Sequence, residues 1–304
     1  MSLRLYTHPA CLGHDTGPGH AERPDRLRAV ISAIDTAFPE QEWMPASSAA
    51  RDALLRVHDA AYVDDLLART PEGIEWLDED TAISPHSLEA ALRGAGAGID
   101  AVDWVMGGAG RRAFCAVRPP GHHAERAKAM GFCLFNNVAI AAAHALAKGV
   151  DHVAIVDFDV HHGNGTQAIF ADEPRVRFAS SHEMPLYPGT GGSSETGIGN
   201  LFNAPLPGGS GTSEFREAWS MRPLPAIDAF APGLLLVSAG FDAHRNDPLA
   251  SLQLDAADYG WLTAALRRIA DRHAQGRIVS MLEGGYDLDG LAASSLAHVR
   301  ELDA

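Results

Sequence analysis

Five short apolar runs recur along the 304-residue chain, and segments rich in alanine and leucine lie between them. The runs occupy residues 112–117, 153–156, 176–179, 234–237 and 278–282. Each run is nearly continuous in apolar character, which is typical of strands buried on both faces of a sheet. Helices that alternate with such strands predict an α/β fold with a mostly parallel central sheet.

The segments around these runs predict helices over residues 22–37, 87–105, 137–147, 213–221, 256–270 and 288–299. The first helix is expected to end before Pro39. Pro223 and Pro225 are expected to end the helix over residues 213–221, because proline lacks the N–H group that continues a helix.

Composition narrows the class of protein. Hydrophobic residues make up 46% of the chain, enough for one large core, so we expect a single domain over residues 1–304. Cys11, Cys115 and Cys133 are far apart and odd in number, so they predict neither a disulfide framework nor a cysteine-based zinc site. The sequence has no signal-peptide pattern and no apolar stretch of roughly 20 residues, the length that spans a membrane. We therefore expect a cytoplasmic protein.

The formal net charge of −15 disfavours binding to nucleic acid phosphates and favours cationic partners such as lysine-rich peptides or polyamines. Many proteins are this acidic for solubility alone, so the charge is a weak indicator. We expect no direct binding to nucleic acid and no association with a membrane.

Each predicted strand runs into a polar or glycine-rich cluster. The clusters are residues 118–123, 157–164, 180–182, 238–244 and 283–286. The carboxyl ends of parallel strands line the ligand crevice of an open sheet, so all five clusters are expected at one edge. The sequence therefore predicts a shared site there.

Asp159 and His161 are two residues apart at the end of a predicted strand, and this spacing places both side chains on one face. Asp242 follows another predicted strand and can supply a third ligand. Two carboxylates and one imidazole suit a catalytic Zn²⁺ or Fe²⁺ ion with positions left open for water and substrate. His162 is expected to point the other way, and Asp157, on the face of Asp159, needs a positively charged partner.

Two neighbouring histidines, His122 and His123, follow the first predicted strand. Amide hydrolysis needs a base that takes a proton from water and an acid that protonates the leaving amine, and one histidine can do both in turn. A second histidine kept cationic by a carboxylate would stabilise the developing oxyanion. Asp157 is the expected carboxylate, and Asn164 is expected to orient the other histidine. Tyr286 follows two glycines and can donate a hydrogen bond to the carbonyl oxygen.

These residues belong to longer motifs, and with them the chain resembles the histone deacetylase and acetylpolyamine amidohydrolase family, specifically its class II branch. The motifs occur in the family's order and cover almost the whole chain. They are residues 14–20 (HDTGPGH), 22–24 (ERP), 118–123 (RPPGHH), 131–133 (GFC), 157–167 (DFDVHHGNGTQ), 187–191 (YPGTG), 238–242 (SAGFD) and 283–286 (EGGY).

The resemblance implies an arginase-like fold, a three-layer sandwich around the parallel sheet. It implies one catalytic zinc ion held by Asp159, His161 and Asp242. It also implies a structural potassium ion near Asp157, Asp159, His161 and Ser180, which would compensate the charge of Asp157.

The resemblance also implies catalytic roles. His123 would be the general base and acid, His122 the electrostatic partner paired with Asp157, and Tyr286 the phenol that polarises the carbonyl group. Asn164 stands where class I members have an aspartate, which fits class II. The substrate-binding residues implied or expected are Gly131, Phe132, Tyr187, Asp80, Leu249 and Gly284.

The expected function is zinc-dependent removal of an acetyl or short acyl group from a lysine side chain or a related amine. Acetylpolyamines or other small amides remain alternative substrates, although Leu249 stands where polyamine-selective relatives can carry an acidic residue. A binuclear manganese hydrolase would need further bridging carboxylates, and the sequence after Asp242 offers Ala243 and His244 instead. A catalytically silent acyl-lysine binding protein also remains open, as does homo-oligomerisation.

Overall fold

A computed structural model describes residues 3–304, and in this range one sheet carries eight strands in the order β2-β1-β5-β10-β9-β6-β7-β8. All neighbouring strands of this sheet are parallel. A short antiparallel pair, β3 and β4, lies outside it. The strands are β1 (Leu3–Thr7), β2 (Trp43–Pro45), β3 (Glu75–Trp76), β4 (Ala82–Ile83), β5 (Arg112–Cys115), β6 (Val153–Asp157), β7 (Val176–Glu183), β8 (Leu201–Leu206), β9 (Leu234–Ala239) and β10 (Ile278–Leu282).

The five predicted strands are five neighbours at the centre of the sheet, β5, β10, β9, β6 and β7. Every residue of β5, β6, β9 and β10 is buried, which explains their continuous apolar character. The strands β1, β2 and β8 were not predicted. The strands β2 and β8 are the two edges of the sheet, and β1 lies beside β2; burial there is less complete and the apolar signal is weaker.

Helices cover both faces of the sheet. They are α1 (Ala10–Gly13), α2 (Pro24–Ala37), α3 (Arg51–Leu54), α4 (Ala60–Ala68), α5 (Ser87–Met106), α6 (Asn137–Ala147), α7 (Asn164–Phe170), α8 (Thr212–Met221), α9 (Pro223–Phe230), α10 (Ala256–His273) and α11 (Leu288–Asp303). Adjacent residues of a strand point to opposite faces of the sheet. In β5, Cys115 reaches the carbonyl oxygen of Ala97 on α5, whereas Phe114 contacts His298 on α11, so these two helices lie on opposite faces. The predicted α/β three-layer architecture is confirmed.

Four of the five predicted strands end at a different residue. β5 ends at Cys115 rather than at residue 117, and β9 ends at Ala239 rather than at residue 237. β7 continues to Glu183, so residues 180–182 lie inside a strand rather than in the turn after it. The reason is the edge strand β8, whose residues pair with Phe178–Glu183. β6 ends at Asp157, so residues 158–163 form an irregular segment beyond the strand.

Pro223 does end α8, but it also begins α9, a helix that was not predicted. Proline is tolerated in the first turn of a helix, where its missing N–H group has no intrahelical partner. Within residues 3–304 no helix is both long enough and apolar enough to cross a membrane.

A buried ion cluster ties the start of α2 to the ends of the central strands. The carboxylate of Glu22 accepts hydrogen bonds from Arg118 Nε and Nη2 at 2.5 and 2.6 Å, and from Arg26 Nη1 at 3.0 Å. Arg26 also donates to the carbonyl oxygens of Glu283 and Gly285, both at 2.5 Å. All three charged side chains are fully buried, so the cluster fixes the backbone after β10.

Replacing Glu22 by glutamine is expected to lower the free energy of unfolding by about 3–5 kcal/mol, because two buried guanidinium groups lose their carboxylate. Burial alone would raise the pKa of Glu22, but Arg118 outweighs burial and lowers the pKa to about 2. The stabilisation is therefore complete above the ordinary pKa of 4.5 and is lost as the pH falls toward 2. Urea unfolding measures both effects.

The matched control is Asp64→Asn, which breaks the exposed ion pair between Arg51 and Asp64. This variant is expected to keep the free energy of unfolding of the unmodified chain, because exposed pairs contribute little. Equal losses in the two variants would contradict the role assigned to Glu22.

Candidate functional site

Three buried side chains meet at the carboxyl ends of β6 and β9. His161 Nδ1 lies 3.2 Å from Asp159 Oδ1 and 3.1 Å from Asp242 Oδ2. Their ligand atoms all lie within 4.8 Å of one another. Among the histidine, cysteine and acidic side chains of residues 3–304, these three lie close enough together to hold a metal ion.

Backbone groups aim the two carboxylates. Gly284 N donates to Asp159 Oδ2 and Val160 N donates to Asp242 Oδ1, both at 2.8 Å. The remaining oxygens, Asp159 Oδ1 and Asp242 Oδ2, face His161. A Cβ atom on Gly284 would lie 2.2 Å from Asp242 Oδ2, so only glycine leaves room for the carboxylates there.

The charges of this group favour a bound cation. Burial, and after it the neighbouring Asp159, raises the pKa of Asp242 to about 7. Burial would lower the pKa of His161, but the two carboxylates outweigh it and raise this pKa to about 10. Two buried carboxylates and an imidazole around one point are a donor set that a divalent cation fits, because the ion would neutralise both negative charges.

The three predicted ligands therefore come together, although the geometric reason given for Asp159 and His161 was wrong. Both residues lie in the irregular segment after β6, where strand alternation does not apply. His161 N donates to Asp159 Oδ1 at 2.9 Å, and this turn brings the two side chains together. His162 points away, as expected, with its ring nitrogens at Thr190 Oγ1 and Gln167 Oε1.

His122 pairs with Asp157, as the family resemblance implied. His122 Nδ1 lies 3.0 Å from Asp157 Oδ2, and Nε2 lies 3.8 Å from Asp159 Oδ1. Burial would lower the pKa of His122, but Asp157 and then Asp159 outweigh it and raise the pKa to about 10. The backbone of the turn is held by Glu283, whose Oε2 accepts from Gly121 N at 2.6 Å and from His122 N at 3.2 Å. His122 is therefore placed as a cation.

His123 has the opposite character. Its Nδ1 lies 2.8 Å from Asn164 Oδ1. Burial lowers its pKa well below the ordinary histidine value, and the neighbouring His122 and His161 lower it further. The two adjacent histidines are therefore driven to different protonation states, one charged and one neutral, which is the arrangement of an electrostatic stabiliser beside a base.

Tyr286 follows β10 and faces both histidines across a cavity of about 230 Å³. Burial raises the pKa of its phenol well above the ordinary value, so the hydroxyl stays protonated and can donate a hydrogen bond. Tyr286 N donates to Asp247 Oδ2 at 2.7 Å, and Asp247 Oδ1 accepts from Leu249 N at 3.0 Å. Asp247 thus connects the backbone of Tyr286 to the rim of the cavity.

All six predicted substrate-binding residues line this cavity together with His122, His123, His161 and Tyr286. Phe132 contacts Tyr286 edge to face, with ring centroids 5.9 Å apart, and Tyr187 contacts His123 in the same way at 5.1 Å. The aromatic rings form the walls, and the polar groups lie at the base. A slender apolar chain ending in a polar group fits this shape.

Comparisons with known proteins identify the family to which this site belongs. The family model for the histone deacetylase domain matches residues 20–302. The chain belongs to the histone deacetylase family. A histone deacetylase-like amidohydrolase of Pseudomonas aeruginosa is 38% identical to this chain over 317 residues. The match covers 96% of this chain and 83% of that protein. An uncharacterized protein of Synechocystis sp. is 42% identical to this chain over 300 residues. The match covers 96% of this chain and 96% of that protein.

A solved structure agrees with the family. The crystal structure of the HDA15 HD domain superimposes with a TM-score of 0.95 at 37% sequence identity, covering 99% of this chain and 88% of that chain. This likeness confirms the arginase/deacetylase fold and places the chain among the deacetylases and amidohydrolases, which are hydrolytic enzymes.

The loop between β3 and β4 holds part of the cavity wall of this histone deacetylase family member. Asp80 Oδ1 accepts a hydrogen bond from Gly131 N at 3.0 Å. Thr81 Oγ1 donates to Asp80 Oδ1 at 2.9 Å and accepts from Phe132 N at 3.1 Å. Gly131 and Phe132 both have positive φ values, 57° and 67°, and this conformation is strained for phenylalanine. Asp80, predicted to meet the substrate at the rim, also fixes this strained turn.

Replacing Thr81 by valine is expected to raise KM for an acylated substrate about 5-fold, because Phe132 N loses its acceptor and the ring loses its fixed position. Valine has nearly the same shape, and Thr81 is fully buried. Steady-state kinetics at constant metal content measures the effect. Thr81→Ser keeps the hydroxyl and should retain the original KM; a loss as large as that of valine would refute the hydrogen-bond explanation.

The predicted potassium residues lie close to one another around the end of β6. Asp157 and Ser180 are register partners on β6 and β7. Asp157 Oδ1 accepts from Asp159 N at 3.1 Å, and Ser180 Oγ lies 2.9 Å from His182 Nδ1. Burial raises the pKa of Asp157, and this carboxylate has His122 as its ion-pair partner.

Sequence reasoning missed several residues that hold the site, namely Thr81, Glu125, Asp247 and Glu283. Glu283 carried a usable signal, because it directly follows a predicted strand. Thr81, Glu125 and Asp247 lie in loops, and nothing in their sequence context separates them from exposed polar residues. Only their hydrogen bonds in the fold reveal what they support.

Proposed function

We propose that the protein is a zinc-dependent deacylase that removes an acetyl or short acyl group from a lysine side chain or a related amine. The observation that carries the proposal is the meeting of Asp159, His161 and Asp242 with His123 and Tyr286 at the base of one narrow cavity.

Asp159, His161 and Asp242 are the residues that would hold the zinc ion. Bound zinc would supply Lewis acidity, polarising the acyl carbonyl group and easing the loss of a proton from water. The donor set of two carboxylates and one imidazole leaves room for further ligands, as a catalytic site requires.

The proton transfers fall to His123. Its neutral ring can take a proton from the attacking water at Nε2, because Nδ1 is engaged by Asn164 Oδ1. The same nitrogen then returns the proton to the departing amine. The low pKa of His123 keeps the base free before the reaction.

His122 and Tyr286 stabilise the negative charge that develops on the carbonyl oxygen. His122 contributes the positive charge that Asp157 maintains, and it does not transfer a proton. Tyr286 contributes a hydrogen bond from a phenol that burial keeps protonated. Donors preorganised in this way typically contribute a factor of about 100–1,000 to kcat.

The cavity favours a linear substrate. Phe132 and Tyr187 supply apolar walls for an alkyl chain, and Gly131 lets the chain pass close to the backbone. Leu249 lines the same cavity, so at this one position of the lining an apolar side chain rather than a carboxylate faces the substrate. This favours an acyl-lysine over an acetylpolyamine, whose second ammonium group would gain from an acidic neighbour.

We further propose that Asp157, Asp159, His161 and Ser180 share a structural potassium ion, and that the protein acts in the cytoplasm. The partner we propose is a peptide or small acyl amine, not a nucleic acid or a membrane.

A turnover panel tests the proposal. The substrates are acetyl-lysine peptides, lysine peptides with longer acyl groups, trifluoroacetyl-lysine peptides and acetylpolyamines, each offered to zinc-loaded protein. We expect the highest kcat/KM on an acyl-lysine. Preference for acetylpolyamines would identify the alternative substrate class, and binding without turnover of any substrate would show an acyl-lysine binding protein instead.

A further inference from the structure

A chain of hydrogen bonds runs from the proposed base to a carboxylate outside the cavity. His123 Nδ1 meets Asn164 Oδ1 at 2.8 Å, and Asn164 Nδ2 donates to Glu125 Oε1 at 2.8 Å. Glu125 is partly buried, whereas Asn164 and His123 are buried. Glu125 is not part of the cavity and does not reach the metal-ligand group.

The carboxylate determines which way the amide of Asn164 points. An amide has a donor end and an acceptor end of almost the same shape, so its orientation follows from its partners. A carboxylate only accepts, so the NH₂ end must face Glu125. Met130 Sδ, a weak acceptor, lies 3.4 Å from the same nitrogen and favours the same orientation. The carbonyl end is therefore left for His123.

The orientation of Asn164 in turn selects the tautomer of His123. A carbonyl oxygen at Nδ1 requires the ring proton on Nδ1, so Nε2 keeps its lone pair and can act as a base. With the amide reversed, Nδ2 would donate to Nδ1, the proton would sit on Nε2, and the base would be lost. An asparagine needs this control, whereas an aspartate at the same position would accept through either oxygen.

The backbone of Glu125 is fixed on both sides. Glu125 N donates to Lys128 O at 2.9 Å, and Glu125 O lies 2.9 Å from His58 Nδ1. His58 Nε2 accepts from Asn136 N at 2.9 Å, so the proton of His58 is on Nδ1, and this nitrogen donates to Glu125. A carboxylate on so restrained a backbone reaches Asn164 with little loss of conformational entropy.

We propose that Glu125 is a positioning residue, which orients the Asn164 amide and thereby holds His123 in the tautomer that can act as the base. The proposal rests on the proposed function for the role of His123. Glu125 acts through Asn164 and His123 and touches neither the substrate nor the metal.

The first test is Glu125→Ala in zinc-loaded protein. We expect kcat on an acyl-lysine peptide to fall about 10-fold, because both amide orientations become populated, while KM and zinc content stay unchanged. Glu125→Gln keeps an acceptor oxygen and should retain most of the activity. Asp172→Ala, which removes an exposed carboxylate, controls for the loss of one negative charge. Unchanged kcat in Glu125→Ala would overturn the proposal.

The second test repeats Glu125→Ala in an Asn164→Asp background. The carboxylate that this background introduces accepts from His123 through either oxygen, and Glu125 then faces a second carboxylate. Removing Glu125 should therefore leave kcat unchanged or raise it, the reverse of its effect beside asparagine. An equal loss in both backgrounds would show that Glu125 supports the fold and not the amide orientation.

The third test does not depend on turnover. Spectra of protein labelled with ¹⁵N-histidine, with the His123 signals assigned by their absence in His123→Ala, report which ring nitrogen carries the proton. We expect the proton on Nδ1 in the unmodified chain and a mixed population in Glu125→Ala. Protein that hydrolyses nothing yet shows this shift would refute only the proposed function; an unchanged tautomer would refute the role of Glu125.

Discussion

Replacing His123 by alanine is expected to lower kcat by at least about 100-fold while zinc remains bound. The imidazole that takes the proton from water and returns it to the amine is removed. The ligand group is untouched, because His123 contacts His161 only through ring packing, with centroids 6.0 Å apart. The measurement is kcat on an acyl-lysine peptide together with the zinc content of the same sample.

His152→Ala is the matched control. This exposed histidine stacks on Phe230 and is absent from the lining of the cavity. It should keep the activity of the unmodified chain. If His123→Ala also kept full activity with zinc bound, the proton transfers would have to be assigned to another group.

Replacing Asp242 by alanine is expected to lower the affinity for zinc by more than about 100-fold and to abolish activity with it. Substituting a residue that merely supports a ligand typically costs 10–100-fold in affinity, and Asp242 is proposed as a ligand itself. Loss of metal should not reflect unfolding, because the substitution also removes a buried carboxylate that repels Asp159. Metal analysis after equilibration with zinc, together with circular dichroism, measures both properties.

Asp247→Asn is the control for this variant. Asp247 is a buried aspartate of the same loop, but its oxygens accept from Tyr286 N and Leu249 N. It should bind zinc with little change, while KM or kcat responds to the displaced rim. Retention of zinc by Asp242→Ala, or loss of zinc from both variants, would contradict the ligand assignment.

The centre of the fold was predictable because strands that are buried on both faces have a recognisable apolar sequence pattern. Strands such as β6 and β9 are buried on both faces, so each reads as an uninterrupted apolar run. The edge strand β8 contains Asn203 and Pro205 and has partly exposed positions, so no such run marks it. The extent of β7 depends on β8 and was missed with it.

The candidate site was predictable in its residues but not in its geometry. Asp159 and His161 were chosen for strand alternation, yet a backbone turn beyond β6 brings them together. Chemical reasoning predicted Asp157 beside one histidine and Asn164 beside the other, and the family resemblance assigned His122 to Asp157. Glu125 and Thr81 could not be found in this way, because their effect depends on hydrogen bonds across 39 and 51 residues of sequence.

The dependence of hydrolysis on one zinc ion is tested by titrating metal-free protein with Zn²⁺ while measuring turnover of an acyl-lysine peptide. We expect no turnover without metal and an activity that rises to a plateau at one zinc ion per chain. Hydrolysis by metal-free protein, or a plateau that requires two metal ions per chain, would contradict this expectation.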